Sequence, residues 1–492
     1  MGLGPVDEVT PAALARGEAD LVRDAGWASL TGALSGGVIL ASFAVELGAG
    51  PAQIGLLSAI PFIAQWGQLP AIALVERFRQ RRRIGVWSIT AARVLILGIA
   101  ALPLVAAPAT AFRALLMLQF VSAALVSVGS CAVNAWLHQL IPQERLGHFF
   151  ARRLFWGTAA ASAGTLVAGY LIERAAAGQR LEPYAAAFFG AALASFASSW
   201  YLSRAPEPRM QDAGPAGSTW SRLRAPVRDR NFRRVLVFLG AWNLASNIAA
   251  PFFTVYLIRQ LGYGLSTVTA LWVTGQVANA LTLYLWGRLS DRLSNKAVLA
   301  VALPVYFACV LALVFASALD HAAARLVLLV VLHALMGAAS GGIGLASGNL
   351  GLKLAPRGQA TAYLATIGLV SATLGGLAPL LGGALAEWFQ ATRLALVVRW
   401  ESPVRETDIT MLAFAHWEFL FALSAALGLY AIHALSRVTE GAAISERLVI
   451  QELALEALRA VNQLSTIGGA LGGLFPFQRL AERRRAPREP PA

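Results

Sequence analysis

Residues with a recognisable chemical role lie close together between Trp286 and Lys296. Gly287 stands four residues before an adjacent carboxylate and guanidinium, Asp291 and Arg292, and Lys296 closes the stretch. In a short turn, glycine permits the close approach of two helix ends, and neighbouring Arg side chains or a helix N-terminus stabilise a carboxylate. The spacing therefore predicts an ion-paired loop that stabilises one conformation of the molecule.

A second, altered copy of this pattern occurs earlier in the chain. Glu76 and Arg77 correspond there to Asp291 and Arg292 and are followed by four more Arg residues up to position 83. The Gly-x-x-x-Asp-Arg core with basic residues after it resembles the loop signature of the major facilitator superfamily, which lies between the second and third helices of each half of those transporters. The first copy departs from the signature at Glu76, where Asp is usual, and it lacks the Gly.

Composition predicts an integral membrane protein. The 492-residue chain is 57% hydrophobic and only 13% charged, and its mean hydropathy is +0.61, which is too apolar for a soluble globular protein. A membrane span needs about 20 apolar residues. Candidate spans are 27–47, 53–75, 84–106, 112–141, 154–173, 184–203, 232–258, 266–287, 297–318, 323–350, 362–388 and 414–435.

The two halves of the chain repeat one another at an offset of 214 or 215 residues. The matching pairs are Trp27 with Trp242, Leu47 and Gly48 with Leu261 and Gly262, Glu76 with Asp291, Arg77 with Arg292, Pro142 with Pro356, and Glu173 with Glu387. An offset of six spans preserves direction, so the halves are parallel repeats, as in the facilitator superfamily. The predicted fold is all-α, with twelve transmembrane helices in two six-helix bundles related by a parallel pseudo-twofold axis.

Basic residues set the predicted orientation. The net charge of +14 lies mainly in short loops after even-numbered spans, which indicates cytoplasmic loops rather than a nucleic-acid surface. Both termini are then cytoplasmic, in a bacterial inner membrane.

The predicted order is a cytoplasmic segment (1–24), a six-helix bundle (25–203), a linker (204–231), a second bundle (232–436) and a tail (437–492). The tail is expected to contain an amphipathic helix at 444–464, which docks on the membrane or on the cytoplasmic face, and a disordered end.

The resemblance implies that spans one, four, seven and ten line a central cavity, so their polar residues are the first substrate-path candidates. Together with the eighth span they supply Gln119, Ser130, Asn134, Asn243, Asn247, Gln276 and His333. Ser and Asn side chains also join helices by hydrogen bonds, and this alternative applies to each of them. Arg93, nine residues into the third span, needs a partner: the membrane surface, carbonyls, a carboxylate or an anionic substrate.

Several chemistries have no support in the sequence. Cys131 and Cys309 each lie inside a span, which predicts neither a disulfide framework nor a metal cluster. Catalytic side-chain sets and a phosphate-binding loop are missing, so no enzyme, cofactor or ATP-driven step is expected. We also expect no Asp or Glu deep in the cavity-lining spans; Glu46, near the outer end of the first span, is the nearest candidate.

The resulting hypothesis is a monomeric secondary active or facilitative transporter that moves a small organic solute by alternating access. Few fixed charges favour a neutral or amphiphilic solute, and protons are a candidate coupling ion through histidine. Two alternatives stand beside it. One is an assembly factor or receptor derived from the same fold, and the other is a translocase for a lipid or a lipid-linked precursor.

Overall fold

The computed structural model describes residues 4–105, 107–175, 181–210, 219–356, 360–401 and 406–440. Its helices are α1 (Pro11–Ser35), α2 (Gly37–Glu46), α3 (Pro51–Ala64), α4 (Gln68–Phe78), α5 (Arg81–Val105), α6 (Pro108–Leu140), α7 (Gln143–Glu173), α8 (Glu182–Arg204), α9 (Thr219–Arg228), α10 (Arg230–Val255), α11 (Leu265–Arg292), α12 (Asn295–Ala312), α13 (Ala322–Leu354), α14 (Ala360–Trp388) and α15 (Trp417–Ser436). Two strands, β1 (Arg393–Glu401) and β2 (Glu406–Ala415), precede α15.

These helices form twelve rods. The first rod consists of α1 and α2, the second of α3 and α4, and the seventh of α10 with a π-helical turn, Tyr256–Gln260. Eleven rods in the described part of the chain are long and apolar enough to cross a membrane. The remaining one, α11, has 28 residues, or about 42 Å at 1.5 Å per residue, and Thr, Gln and Asn make it more polar.

The rods pack as two bundles. In the first, α1 packs against α7 and α8, and α5 packs against α6 and α8. In the second, α10 packs against α14 and α15, while α13 packs against α11 and α12. The linker helix α9 lies against α14 and α10 of the second bundle.

The segment expected as a loop from Trp388 to Ala413 instead forms a β-hairpin. β1 and β2 pair antiparallel, from Arg393 opposite Ala415 to Glu401 opposite Glu406. Both strands contain β-branched residues, which favour extended backbone: Val397 and Val398 in β1, and Thr407, Ile409 and Thr410 in β2. We call this end of the molecule the hairpin end, and the opposite end, where α9 lies, the linker end.

The first helix begins earlier than the predicted span at position 27. Thr10 caps α1, its Oγ1 accepting a hydrogen bond from the Ala13 amide at 3.3 Å, and Pro11 occupies the first turn, where proline is favoured. Most of segment 1–24 is therefore helical, and it brings Asp20 and Asp24 into buried positions.

The first rod is interrupted at the junction of α1 and α2. Gly36 is extended, and Gly37 has φ +49°, in the left-handed region that glycine adopts without the steric cost of a Cβ. The break separates the 25 residues of α1 from the 10 residues of α2, so it lies nearer the hairpin end of the rod.

Matched glycines support the internal repeat. Gly48 and Gly262 have φ values of +81° and +71° and lie just beyond the first and seventh rods. Both adopt the left-handed conformation that commonly ends a helix.

The bundles meet closely at the hairpin end. A Cβ on Gly55 of α3 would come within 2.2 Å of the Pro379 carbonyl oxygen on α14, and a Cβ on Gly169 of α7 would come within 2.3 Å of Oγ1 of Thr269 on α11. Small residues let helices approach closely in membranes. Among the described residues, the hydrogen bonds that join the bundles all lie at this end, and the structure is closed there.

Candidate functional site: a cavity between the bundles and two linker-end junctions

A cavity of about 420 Å³ lies between α1 and α7 of the first bundle and α11 of the second. Residues from both bundles line it, including the Gly37 and Val38 peptide units beside the α1/α2 break. Its polar lining residues are Ser29, Arg153, Thr158, Ser162, Thr165, Trp272 and Gln276. Such a lining offers hydroxyl, amide, indole and guanidinium groups to a bound solute.

An uninterrupted α7 positions most of these groups. Pro142 is its N-cap, and the sequence contains no further Pro before Glu173. Leu154, Thr158 and Thr165 recur at helical spacing and therefore share one face. Arg152 and Arg153 fall between the predicted spans 112–141 and 154–173, where a loop is expected, but they lie inside this helix. The loop prediction was wrong because the helix starts immediately after Pro142.

Asp24 of α1 stands at the centre of a buried polar network behind the cavity. Its Oδ1 accepts a hydrogen bond from the Ser198 hydroxyl at 2.5 Å, and its Oδ2 lies 3.5 Å from Nη2 of Arg153. Arg93 donates from Nη2 to Ser198 Oγ at 2.6 Å and from Nη1 to Ser199. One carboxylate therefore compensates two guanidinium groups, and Arg93 is held by structural partners.

The first rod contains a buried carboxylate that the sequence analysis did not single out, Asp24, just before the predicted span 27–47. Asp24 is 5% exposed. The sequence carried a signal for it, since the buried Leu21, Val22 and Ala25 have the spacing of an amphipathic helix that continues through the acidic positions. The Nη1 atom of Arg153 is buried and has no hydrogen-bond acceptor among the described residues.

Of the polar substrate-path candidates predicted from the sequence, Gln276 lines the cavity and the others do not. On α10, Asn243 donates to the Leu239 carbonyl at 2.8 Å and to Ser371 Oγ on α14 at 3.2 Å. Asn247 donates to the Asn243 carbonyl at 2.9 Å. The Asn243–Ser371 bond joins α10 to α14, whereas the bonds of Asn247 that the structure describes lie within α10.

The candidates on α6 and α13 lie away from the cavity lining. His333 is buried, with Nδ1 2.8 Å from the Leu329 carbonyl oxygen of its own helix. Ser130 donates to the Ser127 carbonyl at 3.1 Å. Asn134 is exposed and Gln119 is half-buried. Their contribution to a substrate path remains a proposal.

The loop motif after the eighth span is mostly helical in the structure, so the turn itself is shorter than the motif. Asp291 and Arg292 lie exposed in the last turn of α11, and Gly287 has open space around it. Only two residues separate α11 from α12, and Ser294 caps α12 by accepting a hydrogen bond from the Ala297 amide at 3.1 Å.

The altered copy of the motif has a similar placement. Glu76 and Arg77 lie exposed in the last turn of α4. The Arg77 guanidinium stands 5.7 Å from the centre of the Phe78 ring, and Arg79 ends the helix with φ +52°.

Lys296 belongs to a junction that the sequence did not predict. Its backbone amide donates to Glu440 Oε2 at 2.7 Å, and its Nζ donates to the Val438 carbonyl at 2.7 Å. Lys353 Nζ lies 3.0 Å from Glu440 Oε1. Burial alone would raise the pKa of Glu440, but the hydrogen bonds from Lys296 and Asn295 and the Lys353 ammonium outweigh it and hold this pKa below its ordinary value.

The first bundle has an equivalent junction at Glu207. Its Oε1 accepts from the Arg81 amide at 2.7 Å and from Arg81 Nε at 3.3 Å. In each half, a buried carboxylate that follows the sixth rod binds the N-terminus of the third rod, where the helix dipole favours negative charge. Sequence reasoning missed both carboxylates because they lie over a hundred residues from their partners. Arg357 and Gly358, which continue the repeat, and the predicted tail helix lie outside the described residues.

Solved structures share this fold. The chain is similar to the nucleoside transporter NupG (D323A mutant), with 14% identity over 86% of this chain and 100% of that one and a TM-score of 0.65. It is also similar to a bacterial homologue of the human lysosomal transporter Spinster in an inward-facing and unoccupied conformation, with 14% identity, 91% and 97% coverage and a TM-score of 0.60. A D-xylose-proton symporter gives 14% identity, 87% and 97% coverage and a TM-score of 0.60.

The sequence comparisons agree on the family. No curated protein matches the chain, but the family model of the Major Facilitator Superfamily matches residues 26–379, which is more than half of it. The prediction of a two-bundle, twelve-helix fold is thereby confirmed. The chain belongs to the Major Facilitator Superfamily and is a multi-pass membrane transporter.

Proposed function

We propose that the protein moves a small organic solute through the cavity between its bundles by alternating access. The observation that carries this proposal is the position of the cavity, which residues from both bundles line. A site shared by two bundles gains or loses half of its walls when one bundle rocks against the other. Substrate binding and bundle movement are then coupled.

The lining favours a polar, uncharged or amphiphilic solute. Ser29, Thr158 and Ser162 supply hydroxyl groups, Gln276 an amide and Trp272 an aromatic surface. The one guanidinium of the lining, Arg153, lies beside the Asp24 carboxylate, which offsets its charge. Hydroxyl and carbonyl groups of a solute are the complementary partners for this set.

The linker-end motifs are proposed as gates for the other conformation. Closure at the hairpin end leaves Asp291 and Glu76 exposed, and reversal of the rocking motion brings the linker ends of the bundles together. We expect Asp291→Asn to reduce uptake while leaving membrane insertion unchanged, because charge pairing would be lost only in that second state. Unchanged uptake by this variant would remove the gating role.

Orientation follows from the basic loops. We propose that the protein lies in a bacterial inner membrane with both termini in the cytoplasm; Arg-rich loops, which tend to stay on the cytoplasmic side, support this orientation. The described conformation, closed at the hairpin end, is then inward-facing. Proton-coupled transport and uniport by a monomer both fit this arrangement, and the pH dependence of uptake distinguishes them.

The first experiment is ligand-dependent thermal stabilisation of the purified protein in detergent. A panel of sugars, nucleosides, amino acids, organic acids and lipids is tested at two pH values, because a ligand that binds the folded state raises its apparent stability. We expect a soluble organic compound to stabilise the wild type, and the same compound to drive uptake into vesicles that contain the protein.

Matched variants show whether the identified compound binds in the cavity between the bundles. Gln276→Ala should weaken stabilisation by the identified compound, while Gln390→Ala, an exposed amide at the hairpin end and outside the lining, should leave it unchanged. Stabilisation by lipids alone, if Gln276→Ala weakens it, would favour the lipid translocase. A well-folded sample that responds to no compound and carries none into vesicles would favour the assembly factor or receptor.

A further inference from the structure

A second cavity, of about 490 Å³, lies at the linker end between α10 and α15. It belongs to the second bundle alone and is separate from the cavity between the bundles. Arg230, Arg233 and Arg234 of α10 line it, together with His433 of α15 and Arg437, which follows α15 as its C-cap. The proposed transport mechanism uses none of these side chains.

Helical spacing explains why the charges converge. Residues 230, 233, 234 and 237 share one face of the first two turns of α10. Residues 430, 433 and 434 share one face at the end of α15, and the C-cap Arg437, whose backbone is still helical, continues that face. These helices pack against each other, although about two hundred residues separate the two sets in sequence. Four guanidinium groups therefore surround one volume.

In the part of the chain that the structure describes, no carboxylate lies within 4 Å of the guanidinium groups of Arg230, Arg233, Arg234 or Arg437. The nearby Asp229 serves another role, because its Oδ1 accepts hydrogen bonds from the Asn231 amide at 2.9 Å and the Phe232 amide at 3.0 Å. Clustered Arg side chains without carboxylates are suited to phosphate.

The cavity also has an apolar wall on the side nearer the middle of the bundle. Val237 is 46% exposed and Tyr430 is 54% exposed, and both line the cavity one or two helical turns beyond the Arg residues. A soluble anion would use only the basic part. A molecule with a phosphate head and a hydrocarbon tail would use both.

We infer that this cavity binds the phosphate headgroup of an anionic phospholipid, with an acyl chain against Val237 and Tyr430. Basic pockets between membrane helices bind such headgroups, and each Arg near an anionic surface adds to the attraction. The lipid would bridge the start of the seventh rod and the end of the twelfth.

The test measures lipid retention on the purified full chain by native mass spectrometry, with phosphatidylglycerol as the probe. Phosphatidylcholine serves as a zwitterionic control, and glycerol phosphate as the headgroup without chains. The variant is Arg233→Gln with Arg437→Gln. The matched control is Arg16→Gln with Arg83→Gln, two exposed residues that remove the same charge elsewhere.

The wild type should retain phosphatidylglycerol in preference to both other probes. The Arg233/Arg437 variant should bind it at least about tenfold more weakly, since each Arg contributes on the order of 1 kcal/mol, and the Arg16/Arg83 variant should match the wild type. Thermal unfolding without lipid checks that all variants fold. Equal retention by the two paired variants would overturn the proposal, as would glycerol phosphate or phosphatidylcholine binding as tightly as phosphatidylglycerol.

Discussion

Asp24 decides the charge balance of the first bundle. It lies between Ser198 and Arg153, and Arg93 reaches the same serine from the other side. A buried guanidinium is costly without a counter-charge, because low-dielectric surroundings remove its hydration. The carboxylate therefore holds together three helices, α1, α7 and α8, and orients one wall of the cavity.

We predict that Asp24→Asn is strongly destabilising. Loss of one member of a buried ion pair typically costs about 3 to 5 kcal/mol, and two guanidinium groups lose their partner here. The measurement is thermal unfolding in detergent. Asp7→Asn is the control, since Asp7 pairs with Arg209 in an exposed contact of 2.9 Å that should contribute less than about 1 kcal/mol. Equal shifts for the two variants would show that the network does not stabilise the bundle.

At Glu440 the prediction concerns pH. Its pKa is held below the ordinary value in the folded protein, so its stabilising contribution is complete above the unfolded-state pKa of about 4.3 and is lost as the pH falls below it. Glu440→Gln should lower the thermal midpoint at pH 7, and this difference from the wild type should shrink progressively below about pH 4.3.

A control for that experiment is Glu8→Gln, because Glu8 is exposed. It should change the midpoint little at any pH. A difference between wild type and Glu440→Gln that stayed constant down to about pH 3 would mean that the carboxylate charge does not stabilise the junction.

At the scale of elements, the sequence predicted the rods well and their ends poorly. Hydropathy located the apolar centre of each span, but α1 extends back to Pro11 and α11 forward to Arg292. Charged side chains at these helix ends face other helices or water, so hydropathy does not show where the helices end. The motif residue Asp291 is helical for this reason, and Arg153 entered the cavity because α7 begins at Gln143.

The sequence did not predict which residues far apart in the chain are in contact. Gln276 was identified because a polar residue in an apolar span is conspicuous. Glu207 and Glu440 were not, since each lies in a polar segment where a carboxylate is ordinary, and only folding brings it to a helix N-terminus. The bond between Asn243 and Ser371 on another helix also depends on the fold.

The break in the first rod gives a prediction at the element scale. Gly37→Ala should lower the free energy of unfolding by about 1 to 2 kcal/mol, the cost of the left-handed conformation for a residue with a Cβ. Steric crowding would not cause this loss of stability, since no heavy atom lies within 4 Å of the added Cβ. Because Gly37 lines the cavity, ligand-dependent stabilisation should weaken as well.

Gly344→Ala provides the matched control for backbone conformation. Gly344 lies inside α13, and a Cβ there also meets open space. Alanine is favoured over glycine in a helix by up to about 1 kcal/mol, so this variant should be neutral or more stable. Equal changes in the free energy of unfolding for Gly37→Ala and Gly344→Ala would contradict a requirement for glycine at the break.

At the scale of the whole molecule, one contact reports which end is closed. Glu173 of α7 accepts a hydrogen bond from the Ser266 amide in the first turn of α11, so a carboxylate of the first bundle caps a helix of the second. Arg259 adds a bond to the Ala49 carbonyl at 3.1 Å. Alternating access requires that these contacts break when the hairpin end opens.

We therefore predict that a covalent link at this contact stops transport. In a background without Cys131 and Cys309, Glu173→Cys with Ser266→Cys should be joined rapidly by a short, reducible crosslinker in the absence of substrate. Crosslinked protein in vesicles should lose at least about nine-tenths of its uptake, because a fixed bundle pair binds solute on one side only, and reduction should restore it. Each single-cysteine variant, treated identically, should retain uptake. Uptake by the crosslinked pair at the rate of the reduced protein would exclude rocking of the two bundles as the transport step.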